Sequence, residues 1–403
     1  MNVTVKTVAA PRAFAGALLL ASLAGPGYGG DLHARLDVAG ISYPTSGSVE
    51  GRARLFAQYE AEIGEHWFLT ASAHLDGLTG DDRKRDGIVR PLETYIERRG
   101  DRLEFRLGFS NIAWGVLDEI APQDVINPID ISRFALEGRA EARLPVPLAR
   151  MRVFLPAEVS IEGVLAPGAR RGSFDQLDEA GSPFAPPGLV VLPRSDLPIV
   201  AANMEGGLRV RGTTARVDWG ASAYRDVVDF DRYTVSATGL VAGRPRRLMI
   251  GGDLETAIGP WVIRGEGAVY VDDPLQAESV PVVVTARSFR GGVGADRRVG
   301  ENTLFFNALY RLFPEHPLLA DRREISLVGG LSREFSRGTR SLRFFGLWNV
   351  SEHSGFTRAI WSEELVAHLG FEVGGGAFLG DGGEVLGLLG DCDFVIARLR
   401  LSR

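Results

Sequence analysis

Apolar and polar side chains alternate along most of the chain, and the alternation is clearest in the stretch Leu103-Glu104-Phe105-Arg106-Leu107-Gly108-Phe109. Successive side chains of an extended strand point to opposite faces, so the apolar residues here share one face and the charged residues the other. The same period recurs in residues 52–55, 208–211, 216–219, 261–271, 304–312, 325–331, 342–348 and 395–401. The pattern predicts an all-β chain of about 16 strands (range about 14 to 18), each of roughly 9 to 13 residues.

Turn-forming residues separate these segments, and the separators differ in length. Some are as short as Gly259-Pro260, whereas others are as long as Pro167–Pro198. Short turns at one end and long loops at the other are typical of transmembrane barrels. Aromatic residues near the ends of the apolar faces would form interface girdles: Tyr59, Trp67, Trp219, Trp261, Phe306, Trp348 and Trp361. These features predict a transmembrane antiparallel up-and-down β-barrel. A soluble periplasmic β-protein, which would share the period, is the alternative.

The first thirty residues have the composition of an export signal. Lys6 and Arg12 precede the apolar run Ala13–Leu23, and small residues fit cleavage after Ala24 or near Gly30. This run is well short of the ~20 residues that a spanning helix needs. We therefore expect residues 1–30 to be a signal peptide and residues 31–403 to form a barrel in the bacterial outer membrane.

Composition narrows the classes of function. The 403 residues carry a net charge of -6 and a single cysteine, Cys392, which excludes an intramolecular disulfide and a cysteine-based zinc site. A pI near 5.7 argues against binding to nucleic acid. Zinc-protease and serine-hydrolase motifs are missing from the sequence. The stretch Ser351-Glu352-His353-Ser354, near a loop, resembles a serine–histidine pair, but adjacent residues of a strand would point to opposite faces and could not converge. The sequence thus predicts neither an enzyme nor a cofactor.

The residues from Trp114 to Pro147 interrupt the alternation. They contain four prolines that we expect to lie outside central strands: Pro122, Pro128, Pro145 and Pro147. Ser132–Arg143 predicts one short helix, with Asp130 or Ser132 as its N-cap. The many apolar residues between Trp114 and Leu136 would be a liability in water, so we expect residues 111–147 to fold into the barrel lumen as a constriction or plug. A structural staple without contact to solute is the alternative.

The charged residues of this segment and two arginines of the strands are the candidate pore residues. They are Asp118, Glu119, Asp124, Asp130, Arg133, Arg106 and Arg264. Arginine dominates the polar faces, since 43 of the 45 basic residues are arginine. Eleven fall on the face that we expect to line the lumen: Arg52, Arg54, Arg102, Arg106, Arg209, Arg211, Arg216, Arg264, Arg343, Arg398 and Arg400. Such residues either select anions or form ion pairs that stiffen the inner wall, and the second interpretation is the simpler one.

The same region carries a family resemblance. Trp114-Gly115, then Asp124-Val125-Ile126-Asn127-Pro128-Ile129-Asp130, then Leu144-Pro145-Val146-Pro147 resemble a recurring block of a large family of proteobacterial outer-membrane porin-like proteins. More loosely, the layout is similar to alginate-export and other substrate-specific porins. The resemblance implies a channel for passive or substrate-selective passage of polar solutes. Its partners would be outer-membrane lipid, the barrel-assembly machinery and the solute.

Two other classes of function stay open beside this one. They are a barrel enzyme that hydrolyses lipid or polysaccharide, and a non-conducting barrel with a structural or export-complex role. The sequence leaves the oligomeric state open.

Overall fold

The computed structural model describes residues 4–6, 30–80, 86–177, 179–184, 197–236, 239–277, 282–313, 321–381 and 386–402. Most of the predicted signal peptide lies outside these ranges, so its assignment stays a prediction.

The wall is a closed barrel of 18 antiparallel strands. Its strands are β2 (Gly30–Tyr43), β3 (Ser48–Ile63), β4 (Trp67–Gly80), β5 (Asp86–Arg99), β6 (Leu103–Ser110), β7 (Val146–Leu155), β8 (Val159–Ala166), β9 (Glu205–Thr214), β10 (Val217–Val227), β13 (Arg246–Ile258), β14 (Trp261–Gln276), β15 (Val283–Val299), β16 (Asn302–Leu312), β17 (Arg323–Phe335), β18 (Arg340–Asn349), β19 (Ser354–Val366), β20 (Leu369–Leu379) and β21 (Phe394–Ser402). The predicted all-β barrel is confirmed, with a strand number at the upper limit of the expected range.

The remaining elements are short. A strand β1 (Thr4–Lys6) pairs in parallel with β5, and β11 (Arg232–Ser236) with β12 (Gly239–Gly243) forms a hairpin. Two helices, α1 (Ile131–Glu137) and α2 (Arg139–Ala142), lie between β6 and β7. Single 3₁₀ turns cover Glu179–Gly181, Ala201–Asn203, Ser336–Gly338 and Gly387–Cys392. Among the described residues, no helix has the length and apolar character needed to cross a membrane.

Each wall strand pairs with its neighbour along the chain, and the last strand closes on the first. The seam between β2 and β21 runs from the pair Arg35 and Ser402 to the pair Ser42 and Val395, with Ile41 opposite Ile396. All connections at one end, which we call the short-turn end, contain two to four residues. The connections at the other end, the long-loop end, include residues 111–145 and 167–204. The predicted asymmetry between short turns and long loops is confirmed.

The two faces of the wall have opposite chemistry. Large apolar side chains stand exposed on the outside, among them Leu36, Leu55, Leu75, Leu107, Leu208, Ile250, Val269, Phe306, Phe344 and Leu399. Charged and polar side chains are buried on the inside, among them Asp37, His74, Asp76, Arg90, Glu97, Glu162, Arg209, Asp226, Asp253 and Glu266. Soluble proteins place these classes the other way round. The outer face is therefore suited to a hydrocarbon surrounding, and Trp67 and Trp261 stand at its short-turn rim.

Candidate functional site

Residues 111–145, which we call the inner segment, leave the wall after β6 and return to it at β7. One side chain holds both ends together. The amide nitrogen of Ile112 donates to Oδ1 of Asn127 at 2.7 Å. The Asn127 Nδ2 group in turn donates to the carbonyl oxygens of Ser110 at 3.0 Å and Leu144 at 3.1 Å. The side-chain amide of Asn127 thus provides hydrogen bonds to buried backbone groups at both ends of the segment. Pro147, which we expected outside central strands, is the second residue of β7, between β6 and β8. This prediction was wrong because a proline near a strand end removes little of the hydrogen-bond ladder.

A carboxylate of the wall anchors the middle of the inner segment. Glu266 on β14 accepts hydrogen bonds from the backbone N–H groups of Val116 at 2.5 Å, Leu117 at 3.3 Å and Gln123 at 3.2 Å. Gly115 makes this approach possible: its φ is 111°, and a Cβ there would lie 2.9 Å from Glu266 Oε2. Glu266 therefore binds the backbone of the inner segment through its carboxylate.

Two further side chains of the inner segment bind the same side of the wall. Gln123 is fully buried; its Nε2 donates to the carbonyl oxygen of Gly252 at 2.9 Å, and its Oε1 accepts from Ser222 Oγ at 2.7 Å. Trp114 Nε1 donates to Glu162 Oε1 at 2.7 Å. These bonds fix the segment against β8, β10, β13 and β14.

The helical part begins at Asp130. Its carboxylate accepts from the N–H of Arg133 at 3.3 Å and from Ser132 Oγ at 2.8 Å, so of the two predicted caps Asp130 is the N-cap. The predicted single helix is wrong, because Gly138 with φ 107° separates α1 from α2. A Cβ at Gly138 would lie 3.1 Å from a guanidinium nitrogen of Arg358, so the break lets the wall approach the helix.

The far end of α1 is bound by the opposite wall. Arg358 on β19 donates to the carbonyl oxygens of Phe134 at 2.7 Å and Ala135 at 3.0 Å in the last turn of the helix, where the Phe134 carbonyl also accepts the N–H of Gly138 at 3.0 Å. A cation at this end of a helix is also favoured by the helix dipole.

Glu137, the last residue of α1, binds two strands at once. Its carboxylate lies 2.8 Å from Arg398 Nη2 on β21 and 3.1 Å from Arg54 Nη1 on β3. Burial alone raises the pKa of a carboxyl, but Arg54, Arg133 and Arg398 hold the pKa of Glu137 well below its ordinary value. The carboxylate therefore stays ionised as the tie between helix and wall.

Apolar contacts connect the inner segment to two sides of the barrel. One cluster packs the segment against β7, β8, β10, β13 and β14; it comprises Ile112, Trp114, Val125, Ile126, Val146, Leu148, Val164, Ala166, Tyr224, Met249, Ala268 and Tyr270. The other packs Leu117, Ala135 and Leu136 against β2 and β16 to β21, chiefly through Ile41, Leu309, Val328, Phe345, Phe356, Phe378, Phe394 and Ile396. The segment thus crosses the lumen, and its predicted inward fold is confirmed.

Three of the candidate pore residues are bound inside the segment itself. The side chain of Asp124 is 1% exposed and accepts from Arg139 Nη2 at 2.6 Å and Arg143 Nη2 at 2.5 Å. Asp130 is the buried cap described above. Glu119 accepts from the N–H of Arg139 at 3.1 Å. Each of these carboxylates holds local backbone or an arginine in place.

Asp118 and Arg264 meet at the wall. Arg264 Nη1 lies 3.2 Å from Asp118 Oδ2, and Arg264 Nε lies 2.6 Å from Glu255 Oε2, while Asp296 is a third partner. Asp118 is 44% exposed at its side chain. Burial raises the pKa of Asp118, and Arg264 opposes that rise.

Arg106 lies apart from this group, on β6. It binds Glu97 at 2.8 Å and stacks over the ring of Tyr95 at 4.0 Å. The seven candidates therefore do not converge on one point. Eight of the eleven predicted lumen arginines have a carboxylate within salt-bridge distance, in line with the simpler of the two interpretations.

A second stretch, residues 167–177 and 179–184, also folds inward. It belongs to the long separator Pro167–Pro198 that the sequence shows between two strands. The N–H of Ser173 donates to the carbonyl oxygen of Ile129 at 3.0 Å, and the N–H of Ile131 donates to that of Ser173 at 2.8 Å. Its Asp175 binds Arg52 of the wall at 2.7 Å. Phe184 is fully buried at the end of this second inner segment. Phe174 and Phe184 are the signal in the sequence that indicates an inward fold, because a loop in water gains no stability from such side chains.

Two polar cavities lie in the lumen beside the inner segment. The larger, about 290 Å³, is near the short-turn end, and its charged lining is Arg152, Glu158, Arg211, Asp218, Asp253 and Glu255. The smaller, about 160 Å³, lies between strands β2 to β5 and the inner segment, and its charged lining is Arg35, Glu93, Arg133, Glu141 and Arg143. Of the candidate pore residues, Arg133 lines this second cavity.

Comparison with known proteins places the fold. No protein-family model matches the chain, and no curated protein matches it either. Among solved structures, OpdK of Pseudomonas aeruginosa with vanillate is similar at a TM-score of 0.54 and 11% identity, over 93% of this chain and 97% of that chain. OccK5 (OpdH) of the same organism is similar at 0.52 and 10%, over 93% and 96%. OccAB4 of Acinetobacter baumannii is similar at 0.52 and 9%, over 93% and 98%. Over nearly its whole length, the chain thus shares the fold of porin-like outer-membrane β-barrels.

Proposed function

We propose that the protein is an outer-membrane channel through which polar solutes pass. The observation that carries this proposal is the inversion of the wall, which is apolar outside and charged inside around a closed ring of 18 strands. A barrel of this size encloses an aqueous lumen, whereas an eight-stranded barrel is filled by its own side chains. The fold likeness to OpdK and OccK5 supports the same conclusion.

We further propose that residues 1–30 direct export, that outer-membrane lipid surrounds the outer face, and that the barrel-assembly machinery inserts the chain. The rim tryptophans and the apolar outer face support the lipid contact.

Within the lumen, the inner segment sets the narrowest point in this proposal. Asp118, Arg264 and Arg133 are the candidate residues that face open space or a cavity. Asp124 and Asp130 are the ones that keep the segment folded, because both are buried and bound. Arg106 and Glu119 support the wall and the segment respectively.

Single-channel recording in planar lipid bilayers tests the proposal with the full-length barrel. We expect stepwise openings that heat-denatured protein does not give. Silence together with esterase or polysaccharide-hydrolase activity would favour a barrel enzyme. Silence without either activity would favour a plugged structural barrel.

The half-exposed Asp118 offers a sharper test of the constriction. Asp118→Asn should lower the permeability ratio of cations to anions, since fixed charge at a constriction sets selectivity. Glu65→Gln, in an exposed short turn, is the matched control and should leave the ratio unchanged. An unchanged ratio in Asp118→Asn would remove this residue from the solute path.

A further inference from the structure

The smaller lumen cavity is built as a binding site. We propose that it binds a small solute carrying both an ammonium and a carboxylate group, that is, a free α-amino acid. The inference rests on the proposed channel function, and it names the solute class and the place where that solute pauses. The cavity has walls on two sides: strands β2 to β5 on one and the inner segment on the other.

Three residues that line this cavity each carry one buried polar atom with no hydrogen-bond partner within the described protein. These atoms are His74 Nδ1, Asn111 Oδ1 and Arg133 Nε. His74 and Arg133 are each only 3% exposed. Buried polar atoms are seldom left unpaired, because an unmet donor or acceptor loses the full benefit of hydration. The protein alone therefore leaves polar groups of three lining residues unpaired, which marks this part of the lumen as polar and incompletely hydrogen-bonded.

The positive charge available to a ligand is that of Arg133. The two other arginines of the lining are already paired, Arg35 with Asp37 at 3.1 Å and Arg143 with Asp124 at 2.5 Å. Arg133 reaches Glu137 only at 3.4 Å, and Glu137 is shared with closer arginines. A planar guanidinium with donors to spare is suited to a carboxylate.

The negative charge comes from Glu93 and Glu141. The carboxylate of Glu93 accepts from the N–H of Asn111 at 3.3 Å, and no salt bridge to it is found among the described residues. Glu141 lies 3.9 Å from Arg133, beyond hydrogen-bonding distance, and its side chain is 48% exposed. Positive and negative side chains therefore line the same small cavity. A solute that carries both an ammonium and a carboxylate group can pair with both kinds of charge, whereas a simple anion can pair with only one.

The neutral part of the lining fits the same solute. Phe56 and Leu92 give an apolar surface for a short side chain, and Ser72 lies beside His74. The Phe56 ring is held edge-on to His74, with 5.3 Å between ring centroids, so this surface is fixed before a ligand arrives.

Isothermal titration calorimetry on the full-length barrel in detergent tests the site, with L-alanine, propionate and ethylammonium as probes. We expect alanine to bind more tightly than either singly charged probe. Arg133→Gln should weaken alanine at least about tenfold, the size expected when a hydrogen bond to a charged group is lost. Glu141→Gln should weaken alanine but not propionate. Arg211→Gln, an equivalent change in the larger cavity, should leave alanine affinity unchanged.

The outcomes separate the two proposals. Equal affinity for alanine and propionate, or no alanine binding in the wild type, would overturn the amino-acid site even if the barrel conducts. Binding with the expected variant pattern but without conductance would uphold the site and reject the channel. Should Arg133→Gln fail to assemble, Glu141→Gln still decides, because its half-exposed side chain is not needed for the fold.

Discussion

The wall and the inner segment satisfy their backbone groups in different ways. In the wall, strand pairs with strand, as β6 does with β7 from Leu103 to Ser110. In the inner segment, side chains from distant strands do this work: Glu266 binds three N–H groups and Arg358 binds two carbonyl oxygens. The wall is thus determined by a local period, whereas the segment is determined by single residues far away in the chain.

The largest effect that this contrast predicts concerns the wall. Leu327 on β17 faces outward, and its neighbour Ser326 faces the lumen. Leu327→Arg should destabilise the folded barrel by ~2–4 kcal/mol if the site is near the bilayer midplane, because the charge enters hydrocarbon. Ser326→Arg should cost far less. Urea titration of folding in lipid vesicles measures both. Equal costs at the two positions would contradict the membrane assignment.

A smaller effect is expected from the anchor of the segment. Glu266→Gln keeps the size of the side chain but replaces a charged acceptor and adds buried donors that lack partners. We expect a loss of about 1–3 kcal/mol in stability. Trypsin should then cut more rapidly at Arg139 and Arg143, and single-channel current should become noisier. The exposed Glu65→Gln serves as control. A wild-type cutting rate in Glu266→Gln would show that the apolar clusters alone hold the segment.

The long-loop end gives a pH dependence. Burial raises the pKa of Asp229 to about 7, although Arg247 opposes the rise. A carboxyl with a raised pKa in the folded state favours folding while it is protonated there, so its contribution declines from about pH 4 to about pH 7. The apparent melting temperature should therefore fall over this range, and Asp229→Asn should reduce the slope. If the melting temperature of Asp229→Asn depends on pH as steeply as that of the wild type, groups other than Asp229 cause the pH dependence.

The smallest expected effect is on the labelling rate of Cys392, which tests whether the second inner segment stays in the lumen. Cys392 Sγ lies 2.6 Å from the carbonyl oxygen of Pro183, and burial raises the pKa of this thiol to about 12. Because the thiolate is the reactive form, maleimide at pH 8 should label the folded barrel slowly and the unfolded chain rapidly. Rapid labelling of the folded barrel would show that residues 179–184 leave the lumen.

The strands of the wall can be predicted from the sequence because the alternation of apolar and polar residues is a local pattern. Alternation from Leu103 to Phe109 is enough to place β6 and to assign its faces. The cap at Asp130 is local too, since its partners are the next three residues. The break at Gly138 was missed because the reason for it is Arg358, more than two hundred residues away. The role of Glu266 was missed for the same reason: a strand pattern shows that a carboxylate faces inward, but not what it meets there.

The seam of the barrel has a consequence for assembly. Ile41 and Ile396 lie opposite each other across the seam that joins the last strand to the first, and both pack in the cluster that holds Leu136 of α1. The zipper of β2 against β21 and the docking of the helix therefore share one set of contacts. Without the docked inner segment, the apolar side chains of β2 and β21 lose part of their packing. We therefore expect docking of the inner segment and closure of the barrel to stabilise each other.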